Sequence, residues 1–229
     1  MSDLTQAIDL TVKRIHDAAL AAGRDPATIT LVAVSKTRPA TDIRAAYDQG
    51  LKHFGESYLQ EALPKLDELR DCAIEWHFIG PIQSNKTRPI ATRFDWVHSV
   101  DRLKIAQRLS KQRPSELEPL NICLQVNISN EASKSGLHPD ELSEIAAEIA
   151  DLPRLRLRGL MAIPAPTSNP DQQLQMFTAI ARAQHDLIDQ GLSLDTLSMG
   201  MSDDLEMAIR AGATQVRIGS AIFGARDKG

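Results

Sequence analysis

The feature that most limits the folds open to this 229-residue chain is an alternation: eight short apolar runs, separated by segments with helical spacing. The runs are ITLVAV (29–34), LKHFG (51–55), IEWHFIG (74–80), FDWVHSV (94–100), NICLQVNI (121–128), LRLRGLMAI (155–163), DTLSMG (195–200) and TQVRIGS (214–220). Between them amphipathic stripes recur, among them Leu142, Ile145, Ala146 and Ile149, and Leu174, Phe177, Ala181 and Ile188. Asp101, Asn169-Pro170 and Ser202 each read as a helix start. Strands joined by helical crossovers pair in parallel. Eight such units in a chain of this length predict an α/β fold, a single (β/α)8 TIM-type barrel. An open doubly wound sheet is the structural alternative. Leu4, Ile8, Val12 and Ile15 form a stripe ahead of the first run and predict an extra N-terminal helix. No linker, charge block or low-complexity segment divides the chain, so residues 1–229 are expected to form one domain. APAPTSNP (163–170) is the most loop-like stretch and fits one strand-to-helix loop.

Charge excludes two classes of partner. The formal net charge is −4, which gives no basic footprint for nucleic acid or an anionic membrane surface. No stretch approaches the ~18 apolar residues of a membrane span. The N-terminal segment carries Asp3, Asp9 and Asp17 and no long apolar core, unlike a signal or transit peptide. Cys72 and Cys123 form no C-x-x-C pair and lie in or beside apolar stretches, so they read as buried thiols in a reducing compartment. The cytoplasm is the expected location.

A barrel of this kind carries its chemistry where strands end and loops begin. Lys36 stands two residues after LVAV, at such a position. Desolvation or a neighbouring cation eases loss of its proton, and a neutral amine attacks aldehydes; a solvated loop lysine is the competing reading. SMGMSDD (198–204) and VRIGSAIFG (216–224) follow the last two runs, where barrels often hold phosphate. Gly200 and Gly219 allow close backbone approach to an anion, and Ser202 and Ser220 add hydroxyls. Arg217 lies inside the last run, between Val216 and Ile218. It either reaches a ligand at Gly219-Ser220 or forms an internal ion pair, since a buried arginine needs partners.

Other motifs carry less. His53, His77 and His98 fall near the ends of successive runs and could converge on the mouth, but no H-x-H or H-E-x-x-H pair supports a metal site. GPIQSNKT (80–87) departs from a phosphate loop because Asn85 replaces its second glycine. There is no G-x-S-x-G elbow, and Tyr47 and Tyr58 are the only tyrosines.

Taken together, LVAVSKTRP, HFGES, WHFIGPIQSNKTR, GLMAIPAP, LSMGMSDDLEMAI and VRIGSAIFGAR resemble one family, the pyridoxal phosphate (PLP) homeostasis proteins of alanine-racemase-like type. The resemblance runs from about residue 30 to residue 226. It implies a fold-type III barrel, PLP as cofactor, a Schiff base on Lys36, a phosphate cradle from Ser202, Gly219 and Ser220, and Arg217 facing the pyridine nitrogen. One position departs from the pattern: Ser57 stands where the family usually has Asn after Gly-Glu. Ser57 therefore joins the site without that amide's contacts.

The same resemblance implies a carrier rather than a catalyst. A permanent guanidinium at the pyridine nitrogen leaves that nitrogen an unprotonated acceptor and the ring a weak electron sink. Racemases with this arginine add an opposite-face tyrosine through a second domain. The present sequence stops after the last barrel unit, and Tyr47 and Tyr58 fall in the helical segments after strands one and two. The implied role is intracellular PLP homeostasis, with PLP and recipient apo-PLP enzymes as partners, no nucleic acid, no membrane, and a monomer. A racemase-like PLP enzyme and a Schiff-base aldolase acting through Lys36 are the alternatives.

Overall fold

The computed structural model describes residues 3–128 and 135–224. After the helix α1 (Asp3–Ala21), strands and helices alternate: β1 (Thr30–Val34), α2 (Ala40–Asp48), β2 (His53–Glu56), α3 (Leu59–Glu68), β3 (Glu75–Phe78), α4 (Thr87–Arg93), β4 (Trp96–Val100) and α5 (Leu103–Gln112). The second half continues with β5 (Leu120–Gln125), α6 (Leu142–Ala150), β6 (Leu155–Met161), α7 (Pro170–Asp189), β7 (Thr196–Ser198), α8 (Leu205–Arg210), β8 (Gln215–Ile218) and α9 (Ser220–Phe223). Each of the eight apolar runs carries one strand. The strands pair in sequence order and close into a barrel, with Leu31 opposite Val216 and Val32 opposite Arg217 across the β1–β8 seam. The open-sheet alternative is thereby overturned.

The strands read as near-continuous apolar runs because both faces of a parallel sheet are covered. Their outer faces join the helices in one large core around Phe54, Phe78, Ile90, Ile122, Leu160 and Ile218. A small separate cluster, Trp96, Cys123 and Met161, lies apart from it. Trp96 stacks on His77, with ring centroids 5.5 Å apart. His77, His98, Ser198 and Arg217 are buried as well, so the barrel interior is unusually polar for its fold.

Several local expectations shift. Asn169 caps α7 as expected, accepting from the amides of Asp171 and Gln172. Asp101 does not cap α5; its carboxylate takes the Arg102 guanidinium at 2.7 Å, and the helix starts at Leu103. Nor does Ser202 open a helix. Asp204 turns its carboxylate back onto the Met201 amide at 2.6 Å, so 202–204 form a turn and α8 starts at Leu205. On α1 the buried stripe is Ile8, Thr11, Ile15, Ala18 and Ala19, while Val12 is exposed. At 100° per residue that stripe leans toward Thr11 and leaves Val12 at its edge. On α7, Ile180, Gln184 and Leu187 face inward and Ile188 outward. Cys123 is buried, whereas Cys72 is partly exposed.

α1 packs across α8 and α9, the helices that follow the two late glycine-serine loops. Among the described residues, no helix is long and apolar enough to cross a membrane.

Candidate functional site: the C-terminal mouth of the barrel

One cavity of about 260 Å3 opens at the C-terminal mouth, and Lys36, Ser57, Ser202, Arg217, Gly219 and Ser220 all line it. They come from the ends of β1, β2 and β8 and from the β7–α8 loop, so only closure of the barrel brings them together. Close approach sets the shape. A Cβ on Gly219 would stand 3.2 Å from the Val34 carbonyl oxygen, and one on Gly80 would stand 2.0 Å from the Ser57 carbonyl oxygen. Gly80, from the WHFIGPIQSNK segment, thus lets the β3–α4 loop lie on the backbone of Ser57.

The backbone around Lys36 is gripped from α3. Lys65 Nζ donates to the Ser35 carbonyl at 3.1 Å, and the Thr37 amide donates to the Glu61 carboxylate. The same Lys65 ammonium bonds Glu56 at 2.9 Å and Glu61 at 2.6 Å, while Ser35 Oγ donates to Glu56 at 2.7 Å. Glu56 precedes Ser57, so one buried network pins the strand ends carrying Lys36 and Ser57. Burial raises the Glu56 carboxyl above the usual carboxylate range, opposed by the Lys65 charge and the Ser35 hydroxyl. Its second oxygen is buried without a hydrogen-bond partner. Thr37 has a left-handed backbone, φ 66°, which turns the chain sharply after Lys36.

Ser202 and Ser220 bring their hydroxyls to 3.3 Å from one another. From behind, Arg14 of α1 holds this corner: NH1 donates to the Ser202 carbonyl at 2.6 Å, and Nε and NH2 grip Glu206 at 2.5 and 2.7 Å. Gly219 stands as the residue before α9, whose first amides have no intrahelical acceptor.

Arg217 is buried yet faces the cavity. Among the described residues no carboxylate lies within ion-pair distance, which overturns the internal ion-pair reading. Its donors go to Ser198 Oγ at 2.7 Å and the Ala162 carbonyl at 3.1 Å. Burial pushes its pKa down to about 10, against a rise from the Asp204 charge, so it stays a cation at neutral pH.

The histidines do not converge on the mouth. His53 begins β2 at the opposite end of the barrel, and His77 and His98 stack inward from it. Tyr47 sits on α2, where its hydroxyl accepts from the Ala73 amide. Tyr58 precedes α3 as an exposed residue rather than lying within the helix. Arg14, Glu56, Glu61, Lys65 and Ser198 escaped the sequence reading, because their partners lie on other elements and no local spacing marks them.

A closed barrel with a lysine after its first strand and serine-glycine loops after its last two defines the class. The alanine racemase N-terminal domain model matches residues 14–227. Within that class the chain belongs to the family of pyridoxal phosphate homeostasis proteins. It is 62% identical to the protein of that name from Pseudomonas aeruginosa, over all of this chain and 98% of that protein. It is 54% identical to the Escherichia coli K12 protein, over 99% of this chain and 98% of the other. PipY of Synechococcus elongatus, solved with PLP bound, superposes with a TM-score of 0.81 at 36% identity, over 92% of this chain and all of that one.

Proposed function

We propose that this chain binds pyridoxal 5′-phosphate in the mouth cavity and serves PLP homeostasis as a carrier without substantial turnover. The observation that carries this reading is the convergence of Lys36, Arg217 and the Ser202–Gly219–Ser220 corner on one cavity. The groups present suit the cofactor in kind: an amine for its aldehyde, paired hydroxyls and a side-chain-free backbone for its phosphate, a fixed cation for its ring nitrogen. Lys36 holds the aldehyde carbon as a Schiff base. Ser202, Ser220 and the Gly219 backbone hold the phosphate, and Ser57 contributes one hydroxyl to the wall. PLP when bound supplies an electron sink for carbon acids, and a protein tunes that capacity through the ring nitrogen.

Arg217 tunes it downward. A buried cation disfavours a proton on the nitrogen it faces, by charge repulsion. Neither Tyr47 nor Tyr58 lines the cavity, so no phenol opposes Lys36 across the site. The names carried by the relatives and the PLP in PipY support the same role. Apo-PLP enzymes are the recipients this role calls for, and a monomer is the state proposed for it. The test is the visible spectrum of the protein as isolated, followed by incubation with common amino acids. A PLP chromophore with negligible racemase, transaminase or decarboxylase activity is expected. A colourless protein that cannot be loaded with PLP would refute binding, and robust turnover of L-alanine or L-serine dependent on Lys36 would refute the carrier role.

A further inference from the structure

A file of side chains runs down the barrel interior from the mouth to its other end. Arg217 NH1 donates to Ser198 Oγ at 2.7 Å, and Ser198 Oγ lies 2.6 Å from His98 Nδ1. His98 Nε2 lies 2.8 Å from His77 Nδ1, and His77 Nε2 lies 3.2 Å from His53 Nδ1. His77 and His98 are wholly buried, whereas His53 is half-buried at the edge of a cavity at the N-terminal end of the barrel. That cavity is lined by His53, Trp96, Arg158 and Asp195 among others. Glu75, the first residue of β3 and the register partner of His53, completes a cluster with His53 and His77 whose ligand atoms all lie within 4.8 Å.

We propose that His53, Glu75 and His77 form a site for a zinc-like divalent transition-metal ion at the N-terminal end of the barrel, connected to Arg217 through His98 and Ser198. The spacing fits. Zinc–nitrogen bonds set tetrahedral edges of roughly 3.3 Å. His53 Nδ1 and His77 Nε2 are already 3.2 Å apart, and His53 Nδ1 and Glu75 Oε2 are 3.7 Å apart. Two imidazoles and one carboxylate select zinc and its neighbours over calcium or magnesium. Three protein ligands beside an open cavity leave a fourth position for water.

Glu75 and His77 are also oriented by neighbours outside the cluster, as metal ligands usually are. Trp96 Nε1 donates to Glu75 Oε1. Trp96 lies nearly parallel to the His77 ring, 13° between planes. His77 Nδ1 has His98 behind it. Two of the ligands begin neighbouring strands and the third sits in β3, so the backbone holds the set without a loop.

The competing occupant is a proton. Arg217 can only donate, which leaves the Ser198 hydrogen for His98 Nδ1. His98 then donates from Nε2 to His77, and His77 from Nε2 to His53. A metal ion at His77 Nε2 takes the place of that last hydrogen. His77 must then carry its hydrogen on Nδ1 and donate to His98 Nε2, and His98 must carry its own on Nδ1 and donate to Ser198. The proton count is unchanged: one leaves His77 Nε2 for solvent and one enters at Ser198. Metal at one end of the barrel therefore reverses the hydrogen-bond file that ends on Arg217.

The experiment uses the full chain stripped with a chelator and titrated with Co2+, a probe that needs no PLP, so its failure leaves the PLP reading standing. The intense visible bands of four-coordinate Co2+ are expected at one ion per chain, displaced by Zn2+. His53→Ala and Glu75→Gln should each weaken binding by ~100-fold or more, beyond the ~10–100-fold typical of outer-shell losses. His185→Ala, at an exposed surface pair with Asp189, should leave it unchanged. Ring 15N shifts of His98 should show its hydrogen move from Nε2 to Nδ1 on adding Zn2+. Absence of the bands, or their survival in both site variants, would mean that a proton alone occupies the cluster. Zn2+ binding with an unmoved His98 hydrogen would overturn the connection to Arg217.

Discussion

The hydroxyls of Ser202 and Ser220 stand 3.3 Å apart, although 18 residues separate them in the chain. Two loops thus present a pair of donors to one point, beside the backbone of Gly219. Hydrogen bonds to a charged group contribute about 1.5–3 kcal/mol each, and about 1.4 kcal/mol is tenfold in affinity. The double variant Ser202→Ala/Ser220→Ala should bind PLP at least ~100-fold more weakly than wild type. Pyridoxal, which lacks the phosphate, should bind wild type and variant alike. Fluorescence or spectral titration of the protein freed of PLP with hydroxylamine measures both; equal loss for pyridoxal and PLP would remove the phosphate role.

Arg14 ties α1 to the Ser202 corner across 188 residues of sequence. Its side chain is about two-fifths exposed, so solvent screens much of its pairing with Glu206. Arg14→Met should cost about 1 kcal/mol of stability, or ~2–4 °C in Tm for a chain of this size. PLP affinity should fall further than that loss alone explains, because the Ser202 carbonyl loses its anchor. Thermal melts with and without PLP separate the two effects.

Lys65→Met tests the network beneath Lys36. The variant leaves Glu56 buried beside Glu61 without its cation, a change that typically costs ~3–5 kcal/mol. Its pH dependence follows from the direction of the Glu56 shift. The folded-state value is raised above the unfolded one, so the folded state holds the proton more tightly over the range above the ordinary ~4.3. Stability must therefore decline as pH rises through that range, more steeply in the variant, which lacks the opposing ammonium. Urea melts between acidic and neutral pH should show the variant closest to wild type at the acidic end.

The contrast between Lys36 and Lys65 shows what local pattern carries. Lys36 is legible because it stands two residues after the apolar run of β1, at the end of the barrel where strand-to-helix loops carry chemistry. Lys65 sits on the buried face of α3, where spacing alone reads as an ordinary helical lysine; only the fold reveals that it holds Ser35 and Glu56. The same holds for Arg14 and Glu206, 192 residues apart. The barrel was legible because eight apolar runs recur with helical segments between them. The histidines were misplaced because a short strand begins at His53 rather than ending there. Ser202 was misread as a helix start because the Asp204 carboxylate closes a turn instead of leaving Ser202 to cap.

Arg217 is the residue on which the carrier reading turns. Arg217→Glu exchanges a donor cation for an acceptor at the same buried place, and the carboxylate should favour a protonated ring nitrogen. The visible band of the PLP-loaded protein and its pH dependence should both shift. Turnover of amino acids, expected to be negligible in wild type, should become measurable in the variant. Superimposable titrations with PLP still bound would mean that Arg217 does not face the ring.

The most direct test of the account is to fix the cofactor in place and find where it is held. PLP-loaded protein is reduced with borohydride, digested, and the phosphopyridoxyl peptide identified by mass spectrometry. One adduct is expected, on the peptide containing Lys36, and none in Lys36→Ala. A dominant adduct on any other lysine of the wild-type protein would contradict it.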